Sequence, residues 1–158
     1  MLIGVLSDTH GDLKKLEQCL GLMKNAEYIL HAGDFYEDAQ KIARAMSLKV
    51  IAVTGNCDYM VRGPSEEMLA LGGQQVYLTH GHLYRVKQDL SLLVERSRAL
   101  GADVTVFGHT HCPLILRRDG ILFLNPGSPH SPRHGHEPSC ALLELTRTGS
   151  RAKIILLP

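Results

Sequence analysis

The stretch Val104-Thr105-Val106-Phe107-Gly108-His109-Thr110-His111 joins a short β-branched, apolar run to two histidines at positions i and i+2. The run predicts a buried β-strand, because Val, Thr and Phe favour strands. Alternate side chains of an extended backbone point the same way, so both imidazoles are expected to face one point beyond the strand. Neutral imidazole is the commonest metal ligand in proteins. The stretch therefore predicts half of a metal site, provided that other segments bring further ligands to it.

The same arrangement recurs in four other places along the chain. Apolar runs at residues 2–6, 28–30, 50–53 and 74–78 predict strands, and each is followed by residues that bind metals. These following residues are Asp8, His10, Asp34, Asn56 and His80. Taken singly, each of them also fits a turn or a hydrogen-bonded structural role.

Helical patterns separate the first three strands. Leu13, Leu16, Leu20 and Met23 predict an amphipathic helix over residues 12–24 with Asp12 as its N-cap. A second helix is predicted by the helical spacing of four apolar residues, Ala39, Ile42, Ala43 and Met46. Strands that alternate with helices predict βαβ units and a largely parallel sheet. Ligands bind such sheets outside the carboxyl ends of the strands, so the polar residues are expected to gather there.

The gathered set comprises seven side chains, namely Asp8, His10, Asp34, Asn56, His80, His109 and His111. This number exceeds the four ligands of one tetrahedral ion and suits two ions about 3.5–4 Å apart, with Asp34 as the natural bridging carboxylate. Mixed imidazole, carboxylate and amide ligation favours Mn, Fe, Co, Ni or Zn over Ca or Mg. Two such ions lower the pKa of a bridging water and supply hydroxide for an in-line attack on phosphorus.

The second half of the chain is richer in strands. A hairpin is predicted over residues 66–71 and 74–78, and a third helix is marked by Val86, Leu90, Leu93, Val94 and Ser97, with Gly101 as its C′ residue. Further strands are predicted over residues 114–117, 121–124, 140–145 and 153–157, the first two joined by a type I′ turn at Asp119-Gly120.

Composition limits the functional classes. A chain of 158 residues is expected to form one domain over 1–158. The net charge of +1, with scattered Lys and Arg, gives no strong nucleic-acid signal, and no apolar run approaches the ~20 residues of a membrane span. The amino terminus predicts a strand rather than a signal peptide, and four widely spaced cysteines favour a reduced, cytoplasmic protein. An exposed edge strand or apolar patch would support a homodimer or higher homo-oligomer.

These motifs together resemble the calcineurin-like metallophosphoesterases. The matching pieces, in the family's order, are Asp8-Thr9-His10, Gly33-Asp34, Gly55-Asn56-Cys57-Asp58, His80 and Gly108-His109-Thr110-His111. The short length, Gly-Asn-Cys-Asp and Asn125-Pro126-Gly127-Ser128 look most like the small bacterial and archaeal phosphodiesterase branch, which is related to the phosphoesterase-fold subunit of the retromer coat. The resemblance implies an α/β protein, a four-layer α/β/β/α sandwich of two mixed sheets flanked by helices, with the metal site at the strand carboxyl ends.

The resemblance also implies a ligand set for each of two divalent ions, Mn being the most expected and Ni, Fe, Co or Zn the alternatives. Asp8, His10, Asp34 and His111 would hold the first ion, and Asp34, Asn56, His80 and His109 the second. The implied activity is that of a metal-dependent phosphodiesterase that hydrolyses a small phosphodiester with a bridging hydroxide. The alternative is a non-catalytic, metal-binding interaction scaffold like the retromer subunit. Retention of every expected ligand favours the enzyme.

One position departs from the family pattern. Many members carry a His where this chain has Cys57, and that His protonates the leaving oxygen or steadies the phosphate, whereas a thiol with a pKa near ~8.5 is a poor substitute. Asn56 and Asp58 are retained, and His82 is a candidate to replace the missing His, although a structural loop role fits it as well. Arg133 is a candidate phosphate ligand or a solvated loop residue.

Two further sets of residues are weighed against other roles. Three loop histidines, His130, His134 and His136, are predicted to be exposed rather than ligands. A metallo-β-lactamase-type hydrolase would need His-x-His-x-Asp-His, and Cys112-Pro113 stands in its place. An amidohydrolase barrel would need a far longer chain.

Overall fold

The computed structural model describes residues 1–45 and 48–158. Its ten strands are β1 (Leu2–Leu6), β2 (Tyr28–His31), β3 (Lys49–Ala52), β4 (Glu66–Leu71), β5 (Gln74–Thr79), β6 (Val104–Val106), β7 (Pro113–Arg118), β8 (Ile121–Pro126), β9 (Ser139–Thr146) and β10 (Gly149–Leu156). Its helices are α1 (Leu13–Leu22), α2 (Tyr36–Ala45) and α3 (Ser91–Ala99), and a 3₁₀ turn covers His82–Tyr84. Met46, one marker of the predicted second helix, lies outside the described residues.

The strands form two mixed sheets of five strands each. The first sheet has the order β10-β9-β1-β2-β3, and the second has the order β4-β5-β6-β8-β7. In the first, β1, β2 and β3 run parallel, as the βαβ pattern predicts. In the second, β5, β6 and β8 run parallel between two antiparallel edge strands. Each sheet therefore contains three adjacent parallel strands, and these strands end at one rim.

Three apolar clusters order the layers. Side chains of both sheets, such as Ile3 and Val5 from β1 and Val104 and Val106 from β6, form a core between the sheets. Side chains of α1 and α2 cover the outer face of the first sheet, and those of α3 cover the outer face of the second. The predicted α/β/β/α sandwich is confirmed. Among the described helices, none combines the length and apolar character that a membrane span requires.

Element boundaries differ from the predictions by more than two residues at two places. The third helix begins at Ser91, and both Val86 and Leu90 precede it. Arg85 adopts the left-handed conformation after the 3₁₀ turn, and the Asp89 carboxylate accepts the Ser91 N–H at 2.7 Å, so the helix cannot begin earlier. Val86 still packs in the core beneath α3, which explains its helix-like spacing. The last strand begins four residues before the predicted 153, as part of the β9–β10 hairpin.

Candidate metal centre

Loops at the shared rim bring the seven predicted ligands into two adjoining groups. In the first group, Asp8, His10, Asp34 and His111 each offer one ligand atom, and these four atoms lie within 4.8 Å of one another. Asp8 and His10 follow β1, Asp34 follows β2 and His111 follows β6. Both sheets therefore contribute to this group, which we call cluster 1.

Cluster 2 consists of Asp34, Asn56, His80 and His109. The Nε2 atom of His80 lies 3.2 Å from Oδ1 of Asn56 and 3.5 Å from Oδ1 of Asp34. The rings of His80 and His109 meet edge to face, with centroids 5.0 Å apart. Asp34 is shared by the two clusters, which is the position that a bridging carboxylate requires.

Backbone carbonyls orient two of the histidines. Nδ1 of His80 lies 2.7 Å from the carbonyl oxygen of Ala32, and Nδ1 of His111 lies 2.7 Å from that of Ser131. A ring that donates its Nδ1 proton to a carbonyl presents the Nε2 lone pair to the other side. The Nε2 atoms face the carboxylates of the clusters, with His111 Nε2 at 3.2 Å from Asp8 Oδ1. Both rings are thus held in the orientation of a metal ligand.

The backbone at the ligands is not extended, contrary to the expectation for the i and i+2 pairs. Five of the seven ligands adopt left-handed φ values between 49° and 67°, namely Asp8, His10, Asp34, His109 and His111. β6 ends at Val106, so both histidines lie in the loop beyond it. Left-handed turns direct His109 to cluster 2 and His111 to cluster 1. Non-glycine residues in this region cost about 1 kcal/mol each and are concentrated at functional sites.

Three glycines make room for the clusters. A Cβ at Gly33 would lie 2.9 Å from Nδ1 of His80, and one at Gly55 would overlap Oδ1 of Asp34. A Cβ at Gly108 would overlap Oγ of Ser7 and lie 2.8 Å from Oδ2 of Asp8. The rim therefore accepts no side chain at these positions without displacing a ligand.

Two buried polar atoms test whether the residues suit a metal. Among the described residues, Oδ1 of Asp8 and Nε2 of His10 find no partner of hydrogen-bonding geometry, although both are buried. A buried polar atom without a partner costs about 1–3 kcal/mol. Both belong to cluster 1, and both are atom types that bind divalent transition metals. The donor set therefore fits metal ions that complete the coordination.

The charge states of His10, His109 and Asp34 suit ligation as well. Burial lowers the pKa of His10, and burial together with the charge of His80 lowers the pKa of His109 to about 4. Both rings are therefore neutral near pH 7, as ligand imidazoles must be. Burial opposes the ionisation of Asp34, but hydrogen bonds and the charge of His80 prevail and hold the pKa of that carboxyl far below its ordinary value.

The four residues predicted to be catalytic occupy different environments. Asn56 belongs to cluster 2. The ring of the half-buried His82 lies 5.3 Å from that of His80 at a tilt of 52°, and its Nδ1 is a buried atom without a partner among the described residues. Asp58 instead accepts the backbone N–H groups of Tyr36 and Gly55, each at 2.8 Å, so its carboxylate holds the start of α2 and the Asn56 loop. Arg133 lines the cavity above the clusters.

That cavity has a volume of about 350 Å³ and is lined by five of the seven ligands, all but Asp8 and His80, together with Cys57, Arg133, Lys87 and His130. Sequence reasoning missed Lys87, since nothing distinguishes it among scattered lysines. His130 is exposed, as predicted, yet its ring lies 5.9 Å from that of His10 and its Nδ1 lies 3.2 Å from the Asp12 carboxylate. The side chains of Lys87 and Arg133 give the rim a positive charge suited to a phosphate.

A buried polar network behind cluster 1 was also missed. The Thr9 hydroxyl donates to Oδ2 of Asp38 at 2.7 Å and lies 3.1 Å from Nε2 of His31. The same Oδ2 accepts the Gly11 N–H at 2.9 Å. Thr9, His31 and Asp38 are all fully buried. The network fixes the loop that carries Asp8 and His10 to the start of α2, and no sequence pattern pointed to it.

Comparison with known proteins agrees with this geometry. Residues 1–148 match the profile of the calcineurin-like phosphoesterase superfamily domain. A probable metallophosphoesterase of Bacillus subtilis, YsnB, is 36% identical over 148 residues, which cover 92% of this chain and 85% of the relative. The phosphodiesterase YfcE of Escherichia coli K12 is 32% identical over 163 residues, covering 87% and 84%. The crystal structure of Entamoeba histolytica Vps29 complexed with zinc matches with a TM-score of 0.78 and 25% identity, covering 99% of each chain.

Proposed function

Since this chain belongs to the calcineurin-like phosphoesterase superfamily, we propose that clusters 1 and 2 form the two-metal centre of a phosphodiesterase that acts on a small phosphodiester. The chain is a metal-dependent phosphodiesterase, and the observation that carries the dinuclear assignment is the shared position of Asp34. When bound, two divalent ions supply Lewis-acid activation of water and of the phosphoryl oxygens. Cluster 1 would hold one ion and cluster 2 the other.

The residues around the clusters place and stabilise the substrate. Arg133 and Lys87 lie at the rim of the cavity, where they offset the negative charge that develops on phosphorus-bound oxygens. Arg133 offers a planar, bidentate donor, and Lys87 offers a point charge. Asp58 acts as a positioning residue, since both of its oxygens hold backbone amides of the loops that carry Asp34 and Asn56.

Proton delivery to the leaving group rests on few groups. Burial and the neighbouring Asp34 carboxylate raise the pKa of Cys57 to about 11, so this thiol is a weak proton donor. His82 is the proposed alternative, since its Nδ1 is unpartnered and its ring lies 6.1 Å from that of His109. Burial and the charge of His80 lower the pKa of His82, which makes it neutral near pH 7. Substrates with acidic leaving groups are therefore expected to react best.

The finer assignments belong to the same proposal. The metal is Mn²⁺, which suits mixed imidazole, carboxylate and amide ligands. Residues 1–158 form one domain, and a homodimer or higher homo-oligomer is expected. The location is cytoplasmic, supported by four free cysteines, of which Cys19 and Cys140 lie together in the core beneath α1 without forming a disulfide.

The test combines metal analysis of the purified protein with hydrolysis of bis-p-nitrophenyl phosphate in added Mn²⁺. Replacing the shared ligand, Asp34→Ala, is expected to abolish turnover and to weaken binding of both ions. The surface variant Asp119→Ala, in the β7–β8 turn, serves as the control and is expected to retain both properties. A fully metallated, active Asp34→Ala protein would refute the bridging role, and a wild-type protein without bound metal or Mn-dependent turnover would favour the scaffold.

A further inference from the structure

A second cavity adjoins the metal centre, and its lining is largely apolar. It has a volume of about 230 Å³, and Phe35, Tyr59, Met60 and Val61 form most of its wall. Tyr59 and Met60 have 85% and 87% of their surface exposed, the highest values among the large apolar side chains of the described residues. Isolated exposed apolar residues are ordinary, but a group of them beside a reactive centre marks a binding surface.

This apolar cavity borders the cavity above the clusters, which we call the metal cavity. Cys57 lines both of them, and its backbone N–H donates to Oδ1 of Asp34 at 2.8 Å. Phe35 directly follows Asp34, and its ring meets that of His10 edge to face with centroids 5.1 Å apart. A group attached to a phosphate at the clusters would therefore reach the apolar cavity across Cys57.

The backbone at Phe35 supports a functional rather than an incidental arrangement. Phe35 has a φ of +68°, a left-handed conformation that is rare for a bulky residue. Such strain persists where the surrounding structure requires it, and it is concentrated at ligand sites. Here it leaves the ring 38% exposed, between His10 and the apolar cavity.

The charges around the two cavities differ in sign. Lys87 and Arg133 line the metal cavity, whereas the apolar cavity has the exposed Glu37 at its wall and no cation among the described residues that line it. A second phosphate would be repelled by Glu37, whereas an uncharged group would not be. A cavity of roughly 150 Å³ suffices for benzene, so the apolar cavity has room for one planar ring. Two aromatic side chains in its wall favour stacking or edge contacts with such a ring.

We propose that the apolar cavity binds a planar aromatic ring carried by one ester group of the phosphodiester, so that the enzyme selects aryl or nucleobase-bearing diesters. This inference rests on the proposed function, because the ring is placed by a phosphate held at the clusters. Tyr59 and Met60 set the specificity and take no part in the chemical step.

The experiment measures binding of three monoesters, phenyl phosphate, cyclohexyl phosphate and methyl phosphate, to the Mn-loaded protein by calorimetry. Wild-type protein is expected to bind phenyl phosphate about tenfold more tightly than methyl phosphate, as one stacked ring would give. The double variant Tyr59→Ala/Met60→Ala is expected to bring that ratio near unity while methyl phosphate binds unchanged. The control Leu92→Ala removes another exposed apolar side chain, 46% exposed and on α3, and it is expected to keep the wild-type ratio.

Each other outcome overturns the proposal. A phenyl-to-methyl ratio near unity in the wild type, or a ratio that survives the double variant, excludes the ring site. Equal binding of cyclohexyl and phenyl phosphate shows an apolar but not an aromatic preference. If the double variant keeps the wild-type ratio of phenyl to methyl phosphate affinity but elutes at a different volume in size exclusion, Tyr59 and Met60 form a contact between copies of the chain. Failure of the proposed function would show instead in the separate hydrolysis assay, where the wild type would not cleave bis-p-nitrophenyl phosphate in added Mn²⁺.

Discussion

Replacing Asp38 by alanine should weaken metal binding although Asp38 touches no ligand. Its carboxylate accepts the Thr9 hydroxyl at 2.7 Å and the Gly11 N–H at 2.9 Å, and these two residues flank His10. Asp38→Ala removes Oδ2, the one oxygen that accepts both hydrogen bonds, at a fully buried position. The loop that carries His10 would then be free to turn away from cluster 1.

The structure sets the size of the effect. Each buried donor left without its acceptor costs about 1–3 kcal/mol. Gly11 is only partly buried, so the sum stays near the lower end, at about 2–4 kcal/mol of unfolding free energy. Loss of the ion pair between Asp38 and Lys41 adds little to this cost, because the Lys41 side chain is 49% exposed. Loss of an outer hydrogen-bond partner typically weakens metal binding 10–100-fold.

Two assays separate positioning from bulk stability. Urea unfolding of the metal-free protein measures the free energy of unfolding, and calorimetric titration with Mn²⁺ measures the affinity for the metal. The matched variant Asp38→Asn keeps an acceptor oxygen for Thr9 and Gly11, and it should lose only about 1 kcal/mol and bind Mn²⁺ nearly as the wild type does. If Asp38→Ala is destabilised but binds Mn²⁺ with wild-type affinity, the network does not position cluster 1 and the reasoning is refuted.

Three further predictions concern space, pH and proton delivery. Gly108→Ala places a Cβ against the Ser7 hydroxyl that donates to Asp8, and it should lower the free energy of unfolding in urea by about 1–3 kcal/mol. The control Gly149→Ala has open space around it and should change that free energy by less than about 0.5 kcal/mol. Equal effects of the two variants would contradict the close packing at Gly108. Burial lowers the pKa of His31 from 6.5 to about 4, so below pH 6.5 the unfolded chain gains a proton that the folded chain does not, and stability falls toward pH 4 by up to about 3 kcal/mol. His31→Gln should flatten the dependence of unfolding free energy on pH in that window, and an unchanged slope would exclude this origin. Cys57→His should restore a proton donor and narrow the ratio of aryl to alkyl phosphodiester hydrolysis rates; a ratio equal to that of the wild type would show that the thiol position does not limit the alkyl substrate.

The sequence predicted which side chains gather at the shared rim, for a physical reason. Ligands such as Asp8, Asp34 and His80 follow strands, and parallel strands end at one rim, so strand recognition alone brings them together. The backbone conformation that brings these side chains together was not predictable. The left-handed turns that separate His109 from His111 depend on contacts between both sheets, and local pattern carries no record of them.

Long-range polar contacts account for the other differences. Asp38 has the sequence environment of an ordinary first-turn helix acid, and only the fold places Thr9 and His31 against it. Likewise, the start of α3 at Ser91 depends on a local hydrogen bond in which the Asp89 carboxylate accepts the Ser91 N–H, and apolar spacing does not reveal it. Lys87 reaches the metal cavity because the backbone reverses at Arg85, which adopts the left-handed conformation. An arginine at that position does not itself predict this conformation.

The origin of the ligands in both sheets has a consequence for the lifetime of the protein. Asp8 and His10 come from the first sheet and His111 from the second, so an ion in cluster 1 acts as a cross-link between the halves of the sandwich. A ligand that binds only the folded chain adds about 2.7 kcal/mol of stability at one hundred times its dissociation constant. Metal supply would then govern how often the two sheets separate at the rim, and with it the exposure of the chain to proteolysis. A cell that runs short of the ion would lose the protein itself as well as its activity.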